Sequence, residues 1–256
     1  MRIALPLALI FAFLALVGCS DTINFQANPD AGNDPIVVIK SRGDVGPQLQ
    51  STNSIIVSMT YLDEEVFHER GPFPGVGSLE FLNTRLNADS PKVLTEFTGL
   101  SSLAFRECWT LNDDLLVKFT RSCQLKKLIL SNCEYVTSKG VGRALKQQPG
   151  IEALEISNFG MLTEDYMTAL CGVQQLKSVN LSGCDGFRSR HLDILQKCSA
   201  LEQLDLSNTS GLDSSCVPSL GSLNGLRRLV LSNCRDISVD DIQRIQRALP
   251  ACKVIF

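Results

Sequence analysis

The sequence predicts an α/β solenoid, an arc with a parallel β-sheet on its concave wall and helices on its convex wall. Three observations predict it. Six segments, beginning at Leu100, Leu125, Ile151, Leu176, Leu201 and Leu226, follow one template at intervals of 25 or 26 residues. Each reads apolar-x-x-apolar-x-apolar, as in Leu125-Lys126-Lys127-Leu128-Ile129-Leu130, and runs into a polar pair that is usually Ser-Asn. A helix-start signal then opens the second half of each period, with apolar residues spaced by three or four behind it. A fixed period of this size marks stacked units, none of which can bury its apolar face alone.

The elements follow in chain order. Arg2 is the only charge before an apolar run from Ile3 to Val17, and Leu16-Val17-Gly18-Cys19 ends it. A charged start, a short apolar stretch and small residues at the cut predict an export signal over residues 1–18, too short to span a bilayer comfortably. The Leu-Val-Gly-Cys ending resembles the bacterial lipobox. That resemblance implies a lipid on the Cys19 thiol, a cell-envelope location and, since Ser20 rather than Asp follows, an outer-membrane destination. Residues 19–50 are rich in Asn, Asp, Pro and Gly and are expected to be a flexible tether. Two β-like runs, Ile36-Val37-Val38-Ile39 and Ile55-Ile56-Val57, are expected to serve a cap over the open end of the stack, assigned to residues 51–75. A looser copy of the template opens at Val76, so the repeats are assigned to 76–256, with a last strand at Ala251, Val254 and Phe256.

Within a period, alternate strand residues face inward. In the last full repeat Leu226, Leu229 and Leu231 are expected in the core, and Arg228 and Val230 facing out. Thr137, Thr163, Asp213 and Ser238 stand where they would cap helix N-termini. Glu164-Asp165 and Asp240-Asp241 fall in the first turn, where carboxylates suit the helix dipole. The residue after the polar pair is Cys108, Cys133, Phe159, Cys184, Thr209 or Cys234. The pattern L-x-x-L-x-L-S-x-C, followed by a hydrophobe and a Thr, Ser or Asp cap, resembles the cysteine-containing leucine-rich repeat. Phe159 and Thr209 depart from it.

The chain carries 44% hydrophobic residues and a net charge of −3, enough apolar content for a continuous core and no broad field for nucleic acid. Its ten cysteines do not read as a disulfide framework, because four recur at one repeat position, where a thiol acts as a small hydrophobe. Buried free thiols are expected, with Cys108–Cys133 on adjacent strands the more feasible bridge and Cys171–Cys198 the poorer. No CxxC pair, phosphate loop, nucleophile elbow or metal-binding helix motif occurs, and His68 and His191 stand apart. Neither an enzyme nor a cofactor or small-molecule substrate is expected. The column Ser131, Ser157, Ser182, Ser207 and Ser232 reads as turn hydroxyls, Arg42-Gly43-Asp44 as a chance tripeptide, and Asp63-Glu64-Glu65 as a solvated face.

On the concave wall, Lys126, Glu152, Lys177, Glu202 and Arg227 alternate in sign at the second position and should neutralise one another. The fifth positions, Ile129, Glu155, Asn180, Asp205 and Val230, form an acidic-polar centre between aliphatic flanks, bracketed by Lys127 and Arg228. This face is the expected contact for an unidentified protein partner, with the membrane reached through lipid on Cys19. A different class is also implied by the resemblance, since cysteine-containing repeats occur in F-box substrate receptors of ubiquitin ligases. Nothing before Val76 resembles an F-box, however. A structural envelope protein without a dedicated ligand is the third class.

Overall fold

The computed structural model describes residues 36–160 and 162–256. The expected export signal and Cys19 lie outside the described residues. Ten strands form one parallel sheet in strict chain order. They are β1 (Ile36–Ile39), β2 (Ser54–Val57), β3 (Ser78–Leu82), β4 (Ser102–Arg106), β5 (Lys127–Ser131), β6 (Ala153–Ser157), β7 (Ser178–Asn180), β8 (Gln203–Asp205), β9 (Arg228–Val230) and β10 (Lys253–Ile255). The returning segments carry α1 (Glu64–Arg70), α2 (Asp113–Arg121), α3 (Ser138–Leu145), α4 (Glu164–Cys171), α5 (Leu192–Leu195), α6 (Cys216–Gly221) and α7 (Val239–Ala248). Short 3-10 turns serve instead at Arg42–Asp44, Pro47–Ser51 and Ser90–Glu96, and one at Ser189–His191 leads into α5.

Parallel pairing in register turns the sequence period into columns. Leu79, Leu103, Leu128, Leu154, Val179, Leu204 and Leu229 stand side by side, each at most 1% exposed. Phe81, Phe105, Leu130 and Ile156 form a second buried column two residues on. In the early repeats aromatic rings fill the space behind the sheet. Phe105 meets Phe81 at 5.5 Å and Phe119 at 4.9 Å between ring centroids, and Phe73 meets Phe97 at 5.5 Å.

The Ser-Asn pair has a backbone reason. Asn83, Asn132, Asn158, Asn208 and Asn233 all have positive φ, between 46° and 61°, and Gly183 takes the same seat at 65°. Left-handed backbone is cheapest for Gly and Asn. Glu107 occupies that seat with φ 57° and is the exception. One residue later the thiols of Cys108, Cys133, Cys184 and Cys234 donate to the carbonyls of Phe81, Phe105, Ile156 and Leu206 in the preceding repeat, at 3.3, 3.5, 3.1 and 3.1 Å. Thr84 Oγ1 does the same to Val57 at 2.9 Å. Thr209 instead turns its hydroxyl to Leu206 of its own repeat, and Phe159 packs as a buried ring.

Thr137, Thr163 and Ser238 cap α3, α4 and α7 as expected, accepting from Gly140, Tyr166 and Asp241 N–H. Asp63 and Asn112 cap α1 and α2 in the same way. Asp213 does not cap a helix. Its Oδ1 accepts the Ser215 N–H at 2.9 Å, which builds a turn, and α6 begins only at Cys216. Caps also tie repeats together: Asp113 accepts from the Thr137 N–H and hydroxyl, both at 2.7 Å, and Asp241 accepts from Ser214 at 2.7 Å.

Three expectations are corrected. The tether cannot extend to residue 50, because β1 joins the sheet and Ile39, Val45 and Leu49 are fully buried. Arg42 of the Arg-Gly-Asp tripeptide is likewise held, paired with Asp63 at 3.0 Å and Glu69 at 2.5 Å. Residues 51–75 are not a separate cap: β2 and α1 form a repeat like the others, so the solenoid begins before Val76. Among the cysteines, Cys171 and Cys198 are joined by a disulfide, whereas Cys108 and Cys133 are free. Successive convex segments bring Cys171 and Cys198 to a Cα separation of 4.8 Å, within bonding geometry. The ladder thiols are instead oriented toward carbonyls.

Candidate interaction face on the concave sheet

The concave wall is built from strand positions that alternate with the core columns. Its third positions include Ser102, Lys127, Ala153, Ser178, Gln203 and Arg228, in register across the sheet. Its fifth positions run Ile56, Glu80, Ala104, Ile129, Glu155, Asn180, Asp205 and Val230. The seven residues expected to contact a partner therefore do share one face. They differ in what they can offer. Lys127, Glu155 and Arg228 are part-exposed, whereas Ile129 is 6%, Asn180 7%, and Asp205 and Val230 0% exposed. Val230 thus does not face solvent as expected. A short side chain flanked on both sides by strands about 4.8 Å away has little free surface.

Asn180 and Asp205 have a local task that accounts for their orientation. Asn180 Oδ1 accepts the Ser182 N–H, and Asp205 Oδ1 accepts the Ser207 N–H, each at 2.8 Å. Both side chains close a turn at the end of their own strand, the usual role of Asn and Asp in such turns. Asp205 Oδ2 and Ser207 Oγ are buried without a hydrogen-bond partner. Burial pushes the Asp205 carboxyl above the ordinary carboxylate range, against the opposing pull of Ser207 and Arg228.

Glu155 is not an uncompensated charge. Arg106, at the position that later repeats give to Ser, lies across the sheet and pairs with Glu155 at 3.1 Å and Glu80 at 3.4 Å. All three are largely covered, with side-chain exposures of 26% for Arg106, 22% for Glu80 and 16% for Glu155. Burial raises the Glu80 carboxyl despite Arg106. Burial alone would lower Arg106, but Glu155 and Glu80 outweigh it and hold the guanidinium firmly charged. Charge-assisted pairs of this kind are stronger than neutral hydrogen bonds. Reading the fifth-position column two repeats further back, past Ala104 to Glu80, together with the Arg at the position other repeats give to Ser, is the sequence signal that finds this triad.

The second-position residues do pair along the edge. Lys126 and Lys177 reach opposite oxygens of Glu152 at 2.9 and 2.8 Å, and Arg227 approaches Glu202 at 3.8 Å. The Lys177 and Lys126 contacts draw the Glu152 carboxyl down to about 2. These pairs are exposed and screened by solvent, so each contributes little to stability.

Elsewhere the titratable groups are structural. Burial pushes the Cys108 and Cys184 thiols up to about 12 and Cys133 to about 11, which removes their nucleophilic form at neutral pH. His191 is fully buried against Phe187, and its Nδ1 accepts the Arg188 N–H at 3.1 Å. His68 Nδ1 pairs with Glu96 at 2.7 Å, away from the concave face. Among the described residues no group of three His, Cys, Asp or Glu side chains could hold a metal ion, and no helix is long and apolar enough to cross a membrane.

No family model matches the chain. A curated relative, the Antagonist of mitotic exit network protein 1 of Candida glabrata, is 27% identical over 143 residues, covering 54% of this chain. Among solved structures, a leucine-rich-repeat protein of Leptospira interrogans superposes with a TM-score of 0.51 over 82% of this chain at 17% identity. An internalin of Listeria monocytogenes gives 0.50 over 85% at 14% identity and is itself covered to 70%. A chain of the Toll–Spätzle complex of Drosophila gives 0.54 over 86% at 14% identity, with 30% of that chain covered. The chain spans 28% of the length of the Candida relative and 50% of the Leptospira protein. These likenesses establish the fold as a leucine-rich-repeat solenoid.

Proposed function

We propose that this chain is an exported, lipid-anchored protein of the cell envelope whose concave sheet docks a protein partner. The observation that carries the docking is the Glu80–Arg106–Glu155 triad, which spans β3 to β6 on the concave face. Ion pairs that bridge strands on a largely covered surface present fixed, directional charge. Lys127, on the strand between Arg106 and Glu155, and Arg228, three strands beyond Glu155, add part-exposed positive charge to that face. Complementary charge of this kind steers and selects partners more than it supplies raw affinity. That the matched chain comes from the Toll–Spätzle complex supports a binding role for such an arc.

The Leu16-Val17-Gly18-Cys19 ending supports acylation at Cys19, and Ser20 supports the outer membrane. The Cys171–Cys198 bond supports the same compartment, because structural disulfides persist outside the reducing cytosol. It speaks against an adaptor of the F-box type. The repeated thiol-to-carbonyl bonds favour assignment to the cysteine-containing class of these repeats.

Two measurements test the proposal. The mature N-terminal peptide should begin at Cys19 and carry lipid mass, and Cys19→Ala should release a folded protein from the membrane. A native N-terminus elsewhere would refute the anchor. Partner capture from detergent-solubilised envelopes should fail for the Lys127→Glu, Arg228→Glu double variant and persist for charge changes on the helical wall. The reverse pattern would refute concave docking.

A further inference from the structure

Five large apolar side chains are exposed among the described residues, and three of them, Tyr61, Trp109 and Tyr135, each fall three or four residues past the end of a strand, β2, β4 and β5 in turn. The rim lies just past the strand ends, where the residue after the ladder position emerges. Tyr61 aligns with Arg85 through an isolated parallel bridge. Trp109 and Glu134 follow the ladder residues Cys108 and Cys133 in the next two repeats, as Arg85 follows Thr84. Read across the strands, the row is therefore aromatic, cation, aromatic, anion, with Tyr135 beside the anion. Its continuation in later repeats is Gly160, Asp185, Ser210 and Arg235, with no aromatic residue.

Arg85 is sandwiched. Its guanidinium carbon lies 5.0 Å from the Tyr61 ring centroid and 4.8 Å from that of Trp109, and it donates to the Tyr61 hydroxyl. Stacking suits arginine, which is planar and weakly hydrated. No carboxylate pairs with Arg85 among the described residues, and no cation pairs with Glu134. The stack is thus fixed before any partner arrives, and its charges are left unmatched. Trp, Tyr and Arg are also the residues that dominate binding energy at protein interfaces. Nothing in the core explains why Tyr61 stays 61%, Tyr135 62% and Trp109 47% exposed.

We infer that the Tyr61–Arg85–Trp109–Glu134–Tyr135 rim is a docking site for an extended protein segment that sets an acidic side chain on Arg85 and a basic one on Glu134. Charge complementarity fixes the chemistry and where each charge sits. Arg85 and Glu134 are two strand spacings apart, about 10 Å, which an extended chain covers in about three residues. The segment therefore reads acid-x-x-base or, bound in the opposite direction, base-x-x-acid. Apolar or proline side chains between the two charges meet Trp109 and the flanking tyrosines. This surface is separate from the concave triad, so either can fail without the other.

Trp109 is the chain's single tryptophan, and its emission reports the site directly. The test selects displayed random short peptides on the purified full chain and titrates the synthetic winners while following Trp109 emission. Winners should share an acid and a base three residues apart, in one order or the other, and shift the emission. Arg85→Ala should weaken them by about thirtyfold, the effect of losing one interface anchor. Trp109→Ala, read with a labelled peptide, should do the same, with far-ultraviolet circular dichroism unchanged in both. Glu134→Lys should weaken the same peptides, and an acidic residue in place of their base should restore binding. Winners that lack the pattern, that leave Trp109 emission unchanged, or that bind these variants equally would overturn the inference. So would the absence of any winner, or an emission shift produced by anionic vesicles or polysaccharide alone.

Discussion

The two halves of the arc solve one packing problem with different chemistry. From β3 to β6 the strands are five residues long, and the early core is filled by rings, with Phe81, Phe105 and Phe119 in mutual contact. From β7 to β10 the strands shorten to three residues, and the column that held Phe81 and Phe105, already aliphatic at Leu130 and Ile156, continues as Leu181, Leu206 and Leu231. In β7 and β8 the shortening has a visible cause. Asn180 and Asp205 capture the N–H two residues on and close the strand early. The later half compensates covalently where its outer wall is thinnest. The disulfide leaves the end of α4 for Cys198, just past the four-residue α5. The lesson is that a fixed period prescribes the column but not what fills it. The early half relies on area buried per residue, the later half on turn side chains and a cross-link.

The largest expected effect falls on the ring cluster. Phe105→Ala should cost about 3–5 kcal/mol, since it empties a fully buried site touching two other rings. Repeats contact only their neighbours, so the loss should appear first as faster amide exchange in β3 to β5. If β7 to β9 exchange faster by as much, the two halves are not separate stability regions.

Reduction of Cys171–Cys198 comes next. A cross-link spanning 27 residues is worth about 3 kcal/mol through the unfolded chain. A Cys171→Ser, Cys198→Ser variant should lower the melting temperature by several degrees, with β7 to β9 losing protection before Trp109 emission changes. Equal melting of the variant and the native protein would show that the later half stands without its cross-link. The buried thiols Cys108, Cys133 and Cys184 should stay unreactive to alkylating reagents until unfolding, because burial holds them protonated.

Asp205 gives a pH-dependent comparison with its neighbour Asn180. Burial raises the folded-state pKa of Asp205 above its unfolded value, so the neutral form is the one the fold favours. The associated stability is complete below about pH 4, the unfolded value, and is lost as pH rises through the folded value. Asp205→Asn keeps the acceptor for the Ser207 N–H and should therefore stabilise the protein at neutral pH. The gain should vanish on acidification, as denaturant titrations at several pH values would reveal. A gain independent of pH would mean that the fold does not raise the Asp205 pKa.

The smallest expected effect is at Glu107, the left-handed seat that other repeats give to Asn or Gly. Glu107→Asn should raise stability by about 1 kcal/mol by relieving that conformation. A neutral result in thermal melts would mean that Glu107 gains a compensating contact in the early half.

The strand order, the inward columns and three of the helix caps were legible in the sequence, because alternation, cap residues and left-handed Asn seats act within a few residues of one another. So was the charge alternation from Lys126 to Arg227, which the register turns into neighbouring ion pairs. The sequence by itself also proposed the concave residues as a group, and the register did bring them to one face. What the tertiary structure decided was their value. Whether Asp205 meets water depends on side chains one repeat away on either side. Whether Glu155 is free depends on Arg106, two strands away and 49 residues earlier. Whether Cys171 finds Cys198 depends on how two helices turn on the outer wall, and the rim stack forms only when Tyr61, Arg85 and Trp109 come into line across three repeats. Local rules set the period. Burial, pairing and cross-linking arise between periods, where residues about 25 apart become neighbours at a strand spacing of about 4.8 Å.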